Sequence, residues 1–184
     1  LDVSEESSVK KMFTEIRKKY GRLDVLINNA GVNYAHSPLL LVPYESALKT
    51  VEVNLLGTFL LSREAAKIMK KKSFGRIVNL GSMAVKHEVK GEAIYTASKA
   101  AIVSLTRVMA KEISSYGITC NTVSPAAIDT DFIKKINNNA LNEVLSRNAI
   151  PNVGSLNEVS NTIDWLINTE SSAITGQSIY LGGA

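Results

Sequence analysis

The sequence is poor in the residues that most often declare a special chemistry: its 184 positions hold one cysteine and two histidines, and only four prolines interrupt the chain. A lone Cys120 excludes an internal disulfide and any site built from several cysteines. Its setting in the run GITCNTVSP predicts a small buried hydrophobe rather than a reactive thiol. His36 and His87 stand apart without ligand-like companions, so no metal is expected. Long apolar runs are missing too: the stretch 38–43 is among the longest, far short of the ~20 residues that a membrane-spanning helix needs. With no signal-peptide pattern at the start, the expectation is a cytoplasmic protein with no membrane partner.

What is present suffices for a core. A composition 45% hydrophobic and 21% charged fits one globular domain over residues 1–184. The net charge of +4 raises the question of nucleic acid, but the basic clusters at 18–19 and 70–72 fall where helices are expected to end, and a helix C-terminus favours cations. No nucleic-acid partner is expected.

Short β-like runs alternate with longer helical patterns, the rhythm of βαβ units. LDV at the start reads as the tail of a strand, and Ser4 as the cap of a helix running to Tyr20 before Gly21. LDVLINNAG (23–31) has a continuously apolar centre, as in a strand buried on both faces. A helix from about Tyr44 to Lys72 follows, then the strand GRIVNLGS, a helix from Tyr95 to about Tyr116, and the strand GITCNTVSP. KKINNNALNEVL reads as a mobile helical excursion; a helix over 156–168 then leads to a last strand in GQSIYLGGA. The fold class is α/β, a doubly wound, Rossmann-like parallel sheet. In such sheets ligands bind beyond the carboxyl ends of the strands, where Asn28, Ser82, Ser124 and Pro125 fall.

The run GEAIYTASKAA sets Tyr95 four positions before Lys99, one helical turn apart on a single face. A neighbouring cation favours phenolate, so Lys99 is expected to lower the Tyr95 pKa and make it a proton donor and acceptor near neutrality. Taken alone, the spacing also fits a solvated surface pair.

NNAG (28–31), VNLLGTF (53–59), GRIVNLGS (75–82), YTASKAA (95–101) and NTVSPAAIDTD (121–131) occur in this order, with Ser82 thirteen positions before Tyr95. Together they resemble the short-chain dehydrogenase/reductase family over essentially the whole chain, most of all its bacterial 3-oxoacyl-acyl-carrier-protein reductase type. The resemblance implies an NADP- or NAD-dependent oxidoreductase that exchanges a hydride with a small-molecule carbonyl or alcohol. It implies catalytic roles for Asn54, Ser82, Tyr95 and Lys99. Tyr95 would be the general acid and base, Lys99 would also hold the nicotinamide ribose, Ser82 would fix the substrate oxygen, and Asn54 would hold a water linking Lys99 to solvent. It assigns cofactor contacts to Asp2 at the adenine, to Asn28, Ala30 and Gly31 beside the adenosine ribose, and to Pro125 and Thr130 near the nicotinamide, besides Tyr95 and Lys99. Gly31 equally suits a plain turn. A homodimer or homotetramer is implied, paired through the helices 44–72 and 95–116, whose Ala100, Val103, Leu105 and Met109 offer more apolar surface than one face requires.

The chain departs from the family twice. Ala126 stands in SPAA where the family has glycine, and no three glycines carry the Gly-x-x-x-Gly-x-Gly spacing that meets the pyrophosphate. The sequence thus reads as a family domain lacking its first βαβα units, in which LDVLINNAG becomes a sheet edge and the 184 residues alone do not reduce a carbonyl. The competing reading is an inactive truncated paralogue that serves as an oligomerisation or binding module. The stretch 132–153 is expected to form the substrate lid.

Overall fold

Residues 1–128 and 138–183 are described by a computed structural model. Runs of apolar and β-branched residues form four parallel strands, β1 (Val25–Asn28), β2 (Gly75–Leu80), β3 (Ile118–Ser124) and β4 (Ser178–Tyr180), paired in the order β1-β2-β3-β4. Each connection therefore moves one place across the sheet, and helices fill the crossovers. They are α1 (Glu6–Tyr20), α2 (Tyr44–Val51), α3 (Thr58–Met69), α4 (Ala84–His87), α5 (Ala93–Ile113), α6 (Asn138–Leu145) and α7 (Leu156–Ile167).

Every residue of β2 and β3 is buried, and alternation along them separates two cores. Ile77, Ile118 and Cys120 face one side, where Val9 and Phe13 of α1, Leu61, Ala65 and Ile68 of α3, and Met109 of α5 cover them. Val78, Leu80 and Val123 face the other side, beneath Leu166 of α7. The sheet is thus covered on both faces, as the doubly wound class requires. Among the described residues its edge strand β1 pairs with β2 alone, and Ile27 is 43% exposed there.

Several local expectations are corrected. LDV forms no strand: Leu1 is exposed, residues 3–4 form a turn, and none of the described strands pairs with them. Ser4 does not cap α1. Its hydroxyl donates to Asp2 Oδ1 at 2.6 Å, and Glu5 takes the cap position without a side-chain bond. The C-terminus of α1 is as expected, with Arg17, Lys18 and Lys19 in the last turn and Gly21 in the left-handed region at φ 68°. The expected single helix 44–72 is α2 and α3 joined by a π-helical turn over Glu52–Gly57, and it ends through a 3-10 turn at Ser73, left-handed at φ 52° although not glycine. The expected excursion is the helix α6 in its second part; residues 129–137 lie outside those described.

Beneath the helices of the first face runs a buried polar chain. Asn28 Nδ2 donates to Ser62 Oγ (2.8 Å) and Asn79 Oδ1 (2.7 Å). Asn79 Nδ2 in turn donates to Thr106 Oγ1 (2.8 Å), which accepts a second bond from Thr122 Oγ1 (2.9 Å). These bonds tie β1, β2 and β3 to α3 and α5 just under the carboxyl ends of the strands, where displacement would leave buried polar groups unpaired. On the other face, the buried Arg76 donates to the carbonyls of Asn168 (3.3 Å) and Thr169 (3.2 Å), satisfying the end of α7.

Candidate active site

Ser82 lies two residues beyond β2 in a turn suspended from β3. Gly81 N donates to Val123 O (2.7 Å) and Met83 N to Pro125 O (2.9 Å), so both neighbours of Ser82 are fixed by backbone bonds. Gly81 permits this approach: a Cβ there would lie 2.8 Å from Thr122 Cγ2 and overlap Ser124 Oγ. The Ser82 hydroxyl accepts from Ala84 N at 3.1 Å, and it lies near enough to the Tyr95 phenol to favour its phenolate.

Tyr95 and Lys99 occupy the first turns of α5, on the face expected from their spacing. Lys99 Nζ sits 5.8 Å from the Tyr95 ring centroid and donates to Leu80 O, the last carbonyl of β2, at 2.8 Å. An ammonium carries three donors, and Leu80 O is its one hydrogen-bond partner among the described residues. The expected charge relation is corrected. Burial, with the Glu92 carboxylate adding to it, raises the Tyr95 pKa against the opposing Ser82 hydroxyl, and burial lowers Lys99 to about 8. In this cleft, desolvation outweighs the attraction between phenolate and ammonium, so Tyr95 is a protonated phenol at neutral pH.

Asn54 belongs to the π turn and is fully buried. Its Oδ1 accepts from Val32 N (2.8 Å), and its Nδ2 donates to Val32 O (2.9 Å) and to Ser98 Oγ (3.0 Å). Ser98 passes the connection on, donating to Tyr95 O at 2.7 Å. The amide thereby grips the loop after β1 with both ends and joins it to α5. Gly31 lies in that loop; a Cβ there would come within 3.3 Å of Lys99 Nζ and 3.5 Å of Asn54 Oδ1. The space beside Gly31, the two unspent Lys99 donors and the exposed Ala30 and Gly31 suit a polyhydroxylated group such as a nicotinamide ribose.

The structure thus brings Asn54, Ser82, Tyr95, Lys99, Gly31 and Pro125 to one rim. Asn28 ends β1 as expected, but its side chain is spent on Ser62 and Asn79 beneath that rim. Asp2 is exposed in the first turn, where the hydroxyl and backbone N–H of Ser4 hold its carboxyl below its ordinary pKa. Ala126 packs against Gly182, 3.3 Å from where a Cβ would lie on the latter. Thr130 lies outside the described residues. Sequence reasoning missed Ser98, Gly81 and Glu92. The first is hidden among the small residues of YTASKAA, and the last is legible only as the acidic cap of α5, three positions before Tyr95. No group of three or more potential metal ligands occurs among the described residues.

Comparison with known proteins agrees with this geometry. The family model described as enoyl-(acyl carrier protein) reductase matches residues 1–183. The chain is 31% identical to 3-oxoacyl-[acyl-carrier-protein] reductase FabG of Escherichia coli (strain K12) over 183 residues, covering 100% of this chain and 75% of that protein. Its likeness to FabG of Thermotoga maritima is 34%, covering 100% of this chain and 74% of that one. Among solved structures, NAD+-bound xylitol dehydrogenase superposes with a TM-score of 0.91 at 26% identity, covering 100% of this chain and 76% of the other. ElxO with NADP bound gives 0.90 at 32% identity, covering 98% and 74%. The chain belongs to the short-chain dehydrogenase/reductase family of NAD(P)-dependent oxidoreductases.

Proposed function

We propose that this chain carries the catalytic and substrate-side machinery of an NADP-dependent reductase of 3-oxoacyl thioesters, with Asn54, Ser82, Tyr95 and Lys99 as its reacting and positioning groups. The observation that carries the reading is the meeting of Tyr95 and Ser82 with the buried Lys99, 5.8 Å from the Tyr95 ring centroid, which keeps two donors unspent. The substrate class rests on the likeness to the FabG reductases, and the preference for NADP on ElxO together with them.

When bound, the nicotinamide supplies the hydride to the carbonyl carbon. Tyr95 gives its phenolic proton to the carbonyl oxygen, which Ser82 holds within reach. Burial raises the Tyr95 pKa, so the phenol carries the proton that reduction consumes. Lys99 presents its remaining donors to the ribose hydroxyls, and Asn54 keeps the loop carrying Gly31 at the distance that leaves room for them. Ala30, Gly31 and Pro125 line the cofactor side by their place on the rim, with Asn28 serving through its backbone; Asp2 and Thr130 complete the set inferred from the family.

The protein acts as one domain in the cytoplasm, in keeping with a single buried cysteine, and pairs with a second copy of itself. No helix among the described residues is long and apolar enough to cross a membrane. For the pairing, Val103 and Met109 are corrected as contact residues: both are buried, Met109 in the first core, and Leu105 packs against that core. The large hydrophobic side chains left exposed on these helices are Tyr44 and Leu48 of α2, Leu56 of the π turn, Phe59 of α3 and Val108 of α5.

The test compares the 184-residue chain with a fusion that places a strand, a Gly-x-x-x-Gly-x-Gly turn and a helix ahead of Leu1. NADPH consumption with a 3-oxoacyl thioester is expected from the fusion, and weak NADPH binding without turnover from the chain alone, which lacks that pyrophosphate-binding turn. In the fusion, Tyr95→Phe removes only the proton donor and abolishes turnover while NADPH still binds. Most of the parent rate surviving in Tyr95→Phe refutes the assignment; activity on 2-enoyl but not 3-oxoacyl thioesters refutes the substrate class.

A further inference from the structure

Glu92 is the cap residue of α5, and its side chain is only 16% exposed. It does not cap the helix with a side-chain bond. Instead its Oε1 accepts from Asn33 Nδ2 at 3.3 Å and lies 3.5 Å from His36 Nδ1. Both partners come from the loop 32–37 after β1. Beside them, Ser37 N donates to Gly91 O at 2.9 Å, while Asn54 holds Val32 at the other end of the loop. The loop is therefore gripped at both ends, by Asn54 near Gly31 and by Glu92 near His36, and the second grip sits three residues before Tyr95. A structural helix cap would need neither the charge nor these distant partners.

We propose that Glu92 is a positioning residue for the reaction: its carboxylate fastens the loop 32–37 to the start of α5 and places a negative charge three residues before Tyr95. This deepens the reductase reading and rests on it. The charged and titratable groups facing the phenol are few. From α5 come Glu92 and Lys99, the latter turned to Leu80 O. The loop 32–37 brings His36, paired to Glu92, and the turn after β2 brings the neutral hydroxyl of Ser82. On α4, Lys86 lies over the Tyr180 ring and His87 is bonded to Asn148, so both are engaged elsewhere; Lys90 is exposed. Glu92 is thus the one carboxylate set against phenolate formation among the described residues. It adds to the burial that disfavours the Tyr95 phenolate, and the same contacts hold the loop that follows Gly31.

The two roles separate by substitution. Glu92→Gln keeps an acceptor for Asn33 and removes the charge; Glu92→Ala removes both. The ionisation of Tyr95 is read directly, without turnover, as the phenolate difference absorbance between the chain and its Tyr95→Phe variant, each with and without Glu92→Gln. The expected result is a midpoint lowered by roughly half a unit to one unit, the effect of removing one nearby like charge. In a fusion that turns over, alcohol oxidation below that midpoint should rise about three- to tenfold in Glu92→Gln, the same shift read as a rate. Glu92→Ala should in addition raise the KM for NADPH, which Glu92→Gln leaves near the parent value. Coincident phenolate titrations with and without Glu92→Gln overturn the charge role, and equal KM values in the two variants overturn the positioning role. Failure of the reductase reading is distinct: no substrate turns over in any variant, while the phenolate shift still appears.

Discussion

Replacing Lys99 by methionine should make the protein more stable while destroying its activity, and the gain should fade as pH rises. Burial lowers the Lys99 pKa from its ordinary 10.5 to about 8, so between these values the folded state gives up a proton that the unfolded chain keeps. Between those two values the unfolded state binds more protons, and stability therefore rises with pH; below about 8 the charged, desolvated form is carried at its full cost. At pH 7 that cost is about 3 kcal/mol and at pH 10 it is under about 1 kcal/mol. Methionine fills much of the same stem volume and has no charge to desolvate. It also leaves Leu80 O without its donor, a loss of about 1 kcal/mol. The net expectation is a gain of about 2 kcal/mol at pH 7 that falls to about zero by pH 10. Denaturant unfolding of both proteins at pH 7, 8.5 and 10 measures it, because all other titrating groups are common to the pair. A variant less stable than the parent at pH 7, or a gain independent of pH, would refute the claim that the ammonium is held against its own solvation for the sake of function.

Two further outcomes follow from the packing around the site. Gly81→Ala drives a methyl group onto Thr122 and Ser124, so a loss of about 1–3 kcal/mol is expected in denaturant unfolding, with a fall in reductase rate as Ser82 is displaced. A parent-like melting profile would show that the turn has room to spare. Phe59→Asp together with Val108→Asp charges the exposed apolar side chains of α3 and α5, and should convert a dimer to a monomer by light scattering without lowering the unfolding midpoint of the monomer. An unchanged mass would place the contact elsewhere.

The parts of the fold legible in the sequence are those fixed by burial on both sides. GRIVNL and ITCNTVS admit few readings because every residue in them is enclosed, and their alternation with long helical segments dictates parallel pairing. Tyr95 and Lys99 could be set on one helical face because their spacing is itself the geometry, whereas Ser82 was reached only through the family resemblance. What stayed hidden depended on the direction of side chains. Val103 and Met109 could not be told from contact residues, since a helix apolar on several faces does not announce which one meets the sheet. Asn28 gave no sign that it points into the polar chain below the rim. The sign of the Tyr95 shift was misjudged because sequence proximity displays the charge of Lys99 but not the loss of solvent around the pair. LDV read as a strand on composition, yet strands exist only where a partner stands beside them.

The π turn at Glu52–Gly57 makes the length of the chain there as consequential as its lettering. In an ordinary helix each residue advances about 100° around the axis, so a wider turn absorbs surplus residues and re-phases whatever follows. Here it lets α2 and α3 each keep the face they present while Asn54, in the slackened turn, reaches Val32 and Ser98 at once, and Thr58 Oγ1 braces the freed Asn54 carbonyl at 2.7 Å. Losing one residue between Val51 and Thr58 would regularise the helix and, by the same rotation, turn Asn54 off its mark with every side chain of the site still present. Descendants of this sequence must therefore keep the length of that turn as well as Asn54 and Gly57, whose added Cβ would meet Val3 at 2.9 Å, while Leu56, exposed at 47%, is freer to change.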